Sequence, residues 1–230
     1  MNSLTALVPF FNEENTLRES INRLLSVKEI NSIILIDDCS TDNSQKIAKD
    51  YVNRNQIVTY IRLDTNSGKG AALNYAKKNI NSKYVIIHDA DLEYFPSDIV
   101  EMYSTIKGKD DLLILGSRFI GNKQRNNIYT RTFLANKLLS LFFSLIFSYK
   151  VSDVASCYKL LPSSFFKNID IKEKGFSIEI EMLAKFLKFS RNIVEVPISY
   201  QGRSYADGKK IRAIDGFFYF YNTIKYRFLN

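Results

Sequence analysis

A chain of 230 residues, 46% of them hydrophobic, is long enough to bury one good core and suits a single domain. With 24% charged residues it is neither disordered nor fibrous, and its two cysteines, Cys39 and Cys157, have no metal-type spacing, which excludes a disulfide framework and suits a reducing compartment. The net charge of +8 calls for an anionic partner such as a nucleotide, a lipid phosphate or a membrane surface, and a lone histidine, His88, cannot build a zinc site.

In chain order, Leu4 to Pro9 reads as a first strand, too short and too soon followed by Asn12-Glu13-Glu14 to be a secretory signal. A helical period follows through Leu17, Ile21, Leu24 and Leu25. Ile33 to Ile36 is a second strand ending in Asp37-Asp38, and Asp42 opens a helix through Ile47 and Tyr51. Ile57 to Leu63 is a third strand. Asn66-Ser-Gly-Lys-Gly70 then leads into a helix through Leu73 and Ala76. Tyr84 to Ile87 is a fourth strand, apolar on both faces, that stops at Asp89-Ala-Asp91. Pro96 starts another helix, and Leu112 to Leu115 is a fifth strand running into Gly116-Ser-Arg118. Strands alternating with helices predict βαβ units and a mostly parallel sheet, with ligands at the carboxyl ends of the strands. Every polar cluster named so far falls at such an end.

The second half has a different texture. Phe133 to Tyr149 is very apolar, yet Asn136, Ser140, Ser144 and Ser148 recur every fourth residue and draw a narrow polar stripe. A buried helix and an amphipathic helix at a membrane surface fit this pattern equally, and its uninterrupted apolar runs are shorter than the ~20 residues of a span. The tail from Ile214 to Leu229 is helical too, its aromatic residues set beside Lys225 and Arg227.

Chemistry is concentrated in a few motifs. Asp89 and Asp91, two carboxylates flanking a small residue at a strand end, can converge on a hard divalent cation that also holds phosphate oxygens. Asn66-Ser-Gly-Lys-Gly70 is not a P-loop, because Leu63 stands where the first glycine belongs and Gly70 where Ser or Thr belongs. It can still lend backbone amides and Lys69 to a nucleotide, or be a plain tight turn. His88 packs beside the acidic pair. Neither cysteine has a histidine partner to make it a nucleophile. Glu179 and Glu181 cannot share a helix face, so at most one enters a cleft and the other faces solvent or caps the helix. Gln201 to Lys210, with Arg203, Lys209 and Lys210, is either a solvated connection or a flexible cationic clamp for phosphates.

Val8-Pro-Phe-Phe-Asn-Glu-Glu14, Ile36-Asp-Asp-Cys-Ser-Thr-Asp42, Asn66-x-Gly-Lys-Gly-Ala71 and Asp89-Ala-Asp-Leu-Glu93 together resemble the ordered motif series of family 2 glycosyltransferases with the GT-A fold. Gly116-Ser-Arg-Phe119, Asp153-x-x-x-Cys-Tyr-Lys159 and Gly202-Arg-Ser-Tyr-x-x-Gly-Lys-Lys210 resemble its dolichyl-phosphate-mannose-synthase-like branch, bacterial type without transmembrane helices. The resemblance implies one α/β domain of GT-A (Rossmann-like) type, its mostly parallel sheet flanked by helices. A nucleotide-sugar-binding half would span 1–121, and an acceptor-side half with amphipathic helices 122–230.

It further implies an inverting transferase using a nucleotide-diphosphate-sugar donor. Pro9, Phe11, Glu13 and Asp38 would cradle base and ribose. Asp89, Asp91 and Glu93, with Ala90 between, would hold Mg²⁺ or Mn²⁺ and the diphosphate beside Lys69. Arg118, Arg131, Arg203 and Lys209 would face the phosphates of donor and acceptor. Phe11 departs from a commoner tyrosine and Cys39 from a usual glycine. A polyprenyl phosphate acceptor is favoured, because it is already largely dianionic and needs no strong base. A saccharide hydroxyl would need one, with Glu179 or Asp153 available by sequence. An inactive nucleotide-sugar-binding module is the reading of another class. The expected setting is cytoplasmic, peripheral on the inner face of an anionic membrane, with no nucleic-acid partner.

Overall fold

The computed structural model describes residues 3–127, 129–203 and 213–229. β1 (Leu4–Phe10), α1 (Leu17–Leu25), β2 (Ile30–Asp37), α2 (Ser44–Arg54), β3 (Val58–Arg62), α3 (Lys69–Ala76), β4 (Tyr84–Ile87), α4 (Ile99–Ile106) and β5 (Leu113–Ser117) follow the expected alternation. A short 3₁₀ turn, Pro96–Asp98, precedes α4, where proline's missing N–H costs nothing. The rest of the chain adds β6 (Arg125–Asn126), α5 (Thr130–Phe147), β7 (Lys159–Pro162), α6 (Ser163–Asn168), α7 (Ile178–Phe189), β8 (Ile193–Pro197), β9 (Tyr200–Gln201) and α8 (Ala213–Phe228).

Seven strands form one sheet in the order β3-β2-β1-β4-β7-β5-β8, and β6 pairs β9 in a separate ribbon. All pairings in the large sheet are parallel except those of β7, which runs antiparallel between β4 and β5. β1 and β4 are buried along their whole length, as a sheet covered by helices on both faces requires. The strand order reverses at β1, since β2 and β4 flank it, and a crevice therefore opens beyond its carboxyl end.

α5 and α8 pack side by side, with the Phe142 and Phe220 rings 5.1 Å apart and Arg227 Nε donating to the Ile146 carbonyl. Their polarity is inverted relative to an ordinary surface helix. On α5 the polar stripe from Asn136 to Ser144 turns inward: Ser140 is buried and accepts the Val154 N–H, and Ser144 bonds both Ser140 and Val151, while Ser148, the cap beyond the helix, is exposed. Leu134, Leu138, Leu141 and Leu145 point outward at 57–69% exposure. On α8, Asn222, Thr223 and Tyr226 are buried while Phe217, Tyr221 and Phe228 are exposed. α5 is the one described helix long and apolar enough to cross a membrane, at 18 residues and mean hydropathy 1.2. Leu139, Phe143 and Phe147 nevertheless seat it in the domain core.

Candidate active site

The loops after β1, β2 and β4, the turn into α3 and the segment after β5 meet around a cavity of about 300 Å³. The first two loops are laced together. Asn12, at φ 51, donates its N–H to Ser40 Oγ and accepts the Thr41 N–H, while the Glu13 N–H reaches Ser44 Oγ at 2.9 Å. Cys39 adopts a left-handed φ of 65, which explains the turn's preference for glycine at this place. Pro9, Phe11, Glu13 and Asp38 all line the cavity, as the sequence motifs imply.

Asp38 has a structural task here. Its two oxygens accept the N–H groups of Ser67 and Gly68 at 2.8 and 2.7 Å. The Gly70 N–H goes to the Lys174 carbonyl at 2.6 Å. The Ser67, Gly68 and Gly70 amides of this turn are thus spent on the protein itself, and the turn also offers the cavity its Lys69 side chain. A side chain at Gly70 would put Cβ 1.9 Å from the Glu173 carbonyl oxygen. Gly70→Ala is therefore expected to cost at least ~2 kcal/mol by overpacking, a fall of roughly 4–8 °C in Tm. An unchanged melting curve would show that the 173–175 segment is not seated on the turn.

Asp89 and Asp91 both line the cavity but differ in environment. Lys69 Nζ lies 2.7 and 2.9 Å from the Asp89 oxygens. Burial alone would raise the Asp89 pKa, but the Lys69 ammonium outweighs it and holds the carboxyl below its ordinary range. Asp91 is pushed up to about 7, first by burial and then by the Glu93 and Asp89 carboxylates. Its contacts are the Glu93 N–H at 3.1 Å and Arg203 Nη2 at 3.3 Å. Between them Leu92 takes a left-handed φ of 65, the strained bend that folds Glu93 back.

Glu93 lines the same cavity and its charge helps raise Asp91, but both of its oxygens are engaged. It accepts the Tyr200 hydroxyl at 2.7 Å and the Arg203 N–H at 2.9 Å, tying β9 over the site. Glu93, expected as a third ligand beside Asp89 and Asp91, thus has both oxygens hydrogen-bonded within the protein, and among the described residues no group of three His, Cys, Asp or Glu side chains forms a ready metal cage. Mg²⁺ and Mn²⁺ do not require one, since they keep waters and take one or two carboxylates plus substrate phosphates. Asp91, under-compensated among neighbouring acids, fits such an ion.

Arg203 bridges the two sides of the cavity, 3.3 Å from Glu13 and 3.3 Å from Asp91. Arg118 also lines the wall, but its guanidinium forks onto Asp153 at 2.7 Å through both Nε and Nη2 and lies over the Tyr200 ring at 4.9 Å. Asp153 is wholly buried behind it and does not reach the cavity as a binding residue. Arg131 stands exposed in the first turn of α5, off the cavity wall. Lys209 and Lys210 lie outside the described residues.

Glu179 lines the cavity, with Lys69 Nζ 2.8 Å from one oxygen and Lys159 Nζ on the other. Glu181, expected at solvent or as a cap, is instead fully buried and accepts the N–H groups of Lys172 and Glu173 at 2.8 Å each. His88 is buried and held neutral, its pKa lowered to about 4 by burial, with Ser20 and Tyr158 on its two nitrogens.

The sequence motifs did not mark Tyr94, Phe176, Tyr200 and Tyr219, which complete the walls, nor Thr132 and Asn136 on the inner face of α5. For Asn136 a signal existed in the polar stripe. The aromatic positions looked like ordinary core.

This crevice, at the carboxyl ends of a sheet flanked by helices, sets an acid pair and converging cations on a GT-A fold. Residues 5–170 match the model of the family described as Glycosyl transferase family 2, and the chain belongs to that family of glycosyltransferases. It is 26% identical over 235 residues to the UDP-N-acetylglucosamine–dolichyl-phosphate N-acetylglucosaminyltransferase of Methanococcus voltae, covering 95% of this chain and 93% of that one. Against the undecaprenyl-phosphate mannosyltransferase of Micrococcus luteus it is 22% identical over 216 residues, covering 91% and 88%. The fold matches glucosyl-3-phosphoglycerate synthase from Mycobacterium tuberculosis in complex with uridine-diphosphate, with TM-score 0.73, 16% identity and coverage of 98% and 80%. The same enzyme solved with Mn²⁺, uridine-diphosphate and glucosyl-3-phosphoglycerate matches at TM-score 0.67 and 16% identity, over 90% and 74% of the two chains.

Proposed function

We propose that this enzyme moves a sugar, with inversion, from a nucleoside-diphosphate donor to a polyprenyl phosphate at a membrane surface. The observation that carries the reading is the inverted polarity of α5 and α8. α5 lines the cavity with Thr132 and Asn136 and α8 with Tyr219, while leucines of α5 and aromatics of α8 face out. A lipid whose phosphate must reach a cationic cavity while its chain stays in lipid suits that arrangement. Relatives bearing dolichyl- and undecaprenyl-phosphate in their names support the acceptor class.

In the reaction, an acceptor phosphate oxygen forms a bond to the sugar's anomeric carbon as that carbon's bond to the donor's β-phosphate oxygen breaks. Asp89 and Asp91 would hold Mg²⁺ or Mn²⁺, which supplies charge neutralisation to the leaving diphosphate when bound. Lys69 adds a fixed cation beside them, and Arg203 spans from the donor side at Glu13 to Asp91. The acceptor phosphate, with a second pKa of about 6, arrives already deprotonated and needs positioning only.

Transfer to a saccharide hydroxyl is the weaker reading, because both expected bases are occupied. Asp153 gives both oxygens to Arg118, and Glu179 sits between two ammonium groups. A silent sugar-binding module is disfavoured by the retained acid pair and Lys69.

The membrane part of the proposal is tested by sedimentation with vesicles. The protein is expected to pellet with anionic vesicles and far less with neutral ones. Replacing Leu138 and Leu141 together by Glu should weaken pelleting at least tenfold, since each exposed leucine loses ~1.5 kcal/mol or more of burial in lipid. Acceptor-independent hydrolysis of nucleotide-sugar should be unchanged by that double substitution. Equal pelleting with both vesicle types, or a double variant that pellets like the parent, would count against the surface contact.

A further inference from the structure

Lys69 stands at the first residue of α3, the positive end of a helix dipole, where an ammonium is disfavoured and would swing outward if left alone. It is nonetheless pinned and buried by a run of charges. Lys159, Glu179, Lys69 and Asp89 alternate in sign, and their side chains are 0, 3, 8 and 20% exposed. The far end of the run is anchored in the sheet. Lys159 opens β7 opposite Leu115 of β5, and its ammonium also donates to the Ser156 carbonyl. Glu179 is in the first turn of α7, where a carboxylate is favoured.

A lysine inside the central sheet is costly unless paired, and nothing in the packing of β7 requires one: its neighbours Leu160 and Leu161 fill their places as apolar residues. What Lys159 supplies is a fixed positive charge behind Glu179. That charge holds the carboxylate in place with one oxygen left for Lys69. We infer that Lys159 and Glu179 are positioning residues for donor binding, forming an anchor that aims the Lys69 ammonium at the Asp89 carboxylate and the diphosphate. Glu179 on this account exchanges no proton in the reaction. The inference rests on the donor site proposed above and deepens it.

The test compares Glu179→Gln, Lys159→Met and the double substitution, using UDP and GDP, each with Mn²⁺, as calorimetric probes. Either single change should weaken binding of the diphosphate that the parent binds by roughly tenfold to a hundredfold, the usual effect of losing a group that orients a ligand-holding side chain. The double variant removes one charge of each sign. It should regain the melting temperature lost by either single variant, yet keep the weakened affinity, because Lys69 has lost its inner counter-charge.

Affinity that returns along with stability would reduce the pair to a structural role and overturn the inference. Unchanged affinity with lost turnover, and with the loss of a carboxylate limb in the rate against pH, would make Glu179 a base and overturn it as well. If the single variants fail to fold, the charge-balanced double variant carries the decision alone. A parent protein that binds neither diphosphate would overturn the proposed function and the anchor's role together. Tight binding in the parent that the variants keep removes only the anchor.

Discussion

Asp91→Asn is expected to lower kcat/KM by about 10³-fold or more, some 4 kcal/mol of transition-state stabilisation, while leaving the fold intact. The proposed ion would rest on Asp89 and Asp91, and Asp89 already shares itself with Lys69 while both Glu93 oxygens accept hydrogen bonds from Tyr200 and Arg203. The same substitution should abolish tight Mn²⁺ binding measured by electron paramagnetic resonance in the presence of nucleoside diphosphate.

Stability gives an independent reading in chelator, where no ion compensates the acid cluster. The folded-state Asp91 pKa is raised from 3.8 to about 7, so folding binds protons between those values. The charged carboxylate destabilises the ion-free fold, fully above about pH 7 and progressively less as pH falls toward 4. Asp91→Asn should therefore melt at or above the parent at pH 8, and the two should converge near pH 4. Full transferase activity in the variant, or undiminished activity of the parent in excess chelator, would end the metal assignment.

Arg203→Ala is expected to cost about 1.5–3 kcal/mol, roughly ten- to a hundredfold in kcat/KM, when a polyprenyl phosphate is the acceptor. Its guanidinium is the cation that joins the base-side loop at Glu13 to the acid pair at Asp91. The rate should fall below about pH 6 with the acceptor's own second ionisation, in the parent and in Arg203→Ala alike. Were a sugar hydroxyl the true acceptor, that limb would instead belong to the enzyme and vanish in Glu179→Gln or Asp153→Asn, whose turnover at saturating donor would collapse beyond any loss of donor affinity. Transfer to a simple glycoside alone, with Glu179→Gln inactive, would replace the lipid-phosphate assignment.

The first half of the chain was legible because each strand is a short apolar run that ends in a polar motif. From Leu4 to Ser117 the strands and helices start within a few residues of where periodicity places them. Pro9, Asp38, Lys69, Asp89, Asp91, Arg118 and Arg203 converge because topology carries every strand end to one crevice. What stayed hidden depends on long-range partners. That the Ser67, Gly68 and Gly70 amides are consumed by Asp38 and Lys174 cannot be read from a glycine-rich turn. Glu179 and Glu181, two residues apart, are both buried because α7 is enclosed on nearly all sides in its first turns, a circumstance that helical spacing alone does not reveal. Asp153 offered itself as a base until Arg118 was seen to occupy both of its oxygens. On α5 the polar stripe was visible, but not that it would face inward.

β7 has a bearing on how the molecule can be assembled. Formed from Lys159–Pro162, it lies between β4 and β5 and is hydrogen-bonded to both, so those two strands never touch each other. A ribosome that has released only residues 1–121 has made one four-stranded sheet, β3-β2-β1-β4, with a raw edge at β4, and a β5 with no strand to pair with. The central sheet closes only after α5 has emerged and the chain has turned back. Fragments cut near residue 121 are then incomplete sheets with exposed hydrogen-bonding edges, prone to self-association, and not an autonomous nucleotide-binding unit. The two parts of this chain are welded by topology, and exchanging residues 122–230 between relatives would have to carry β7's register against both of its neighbours.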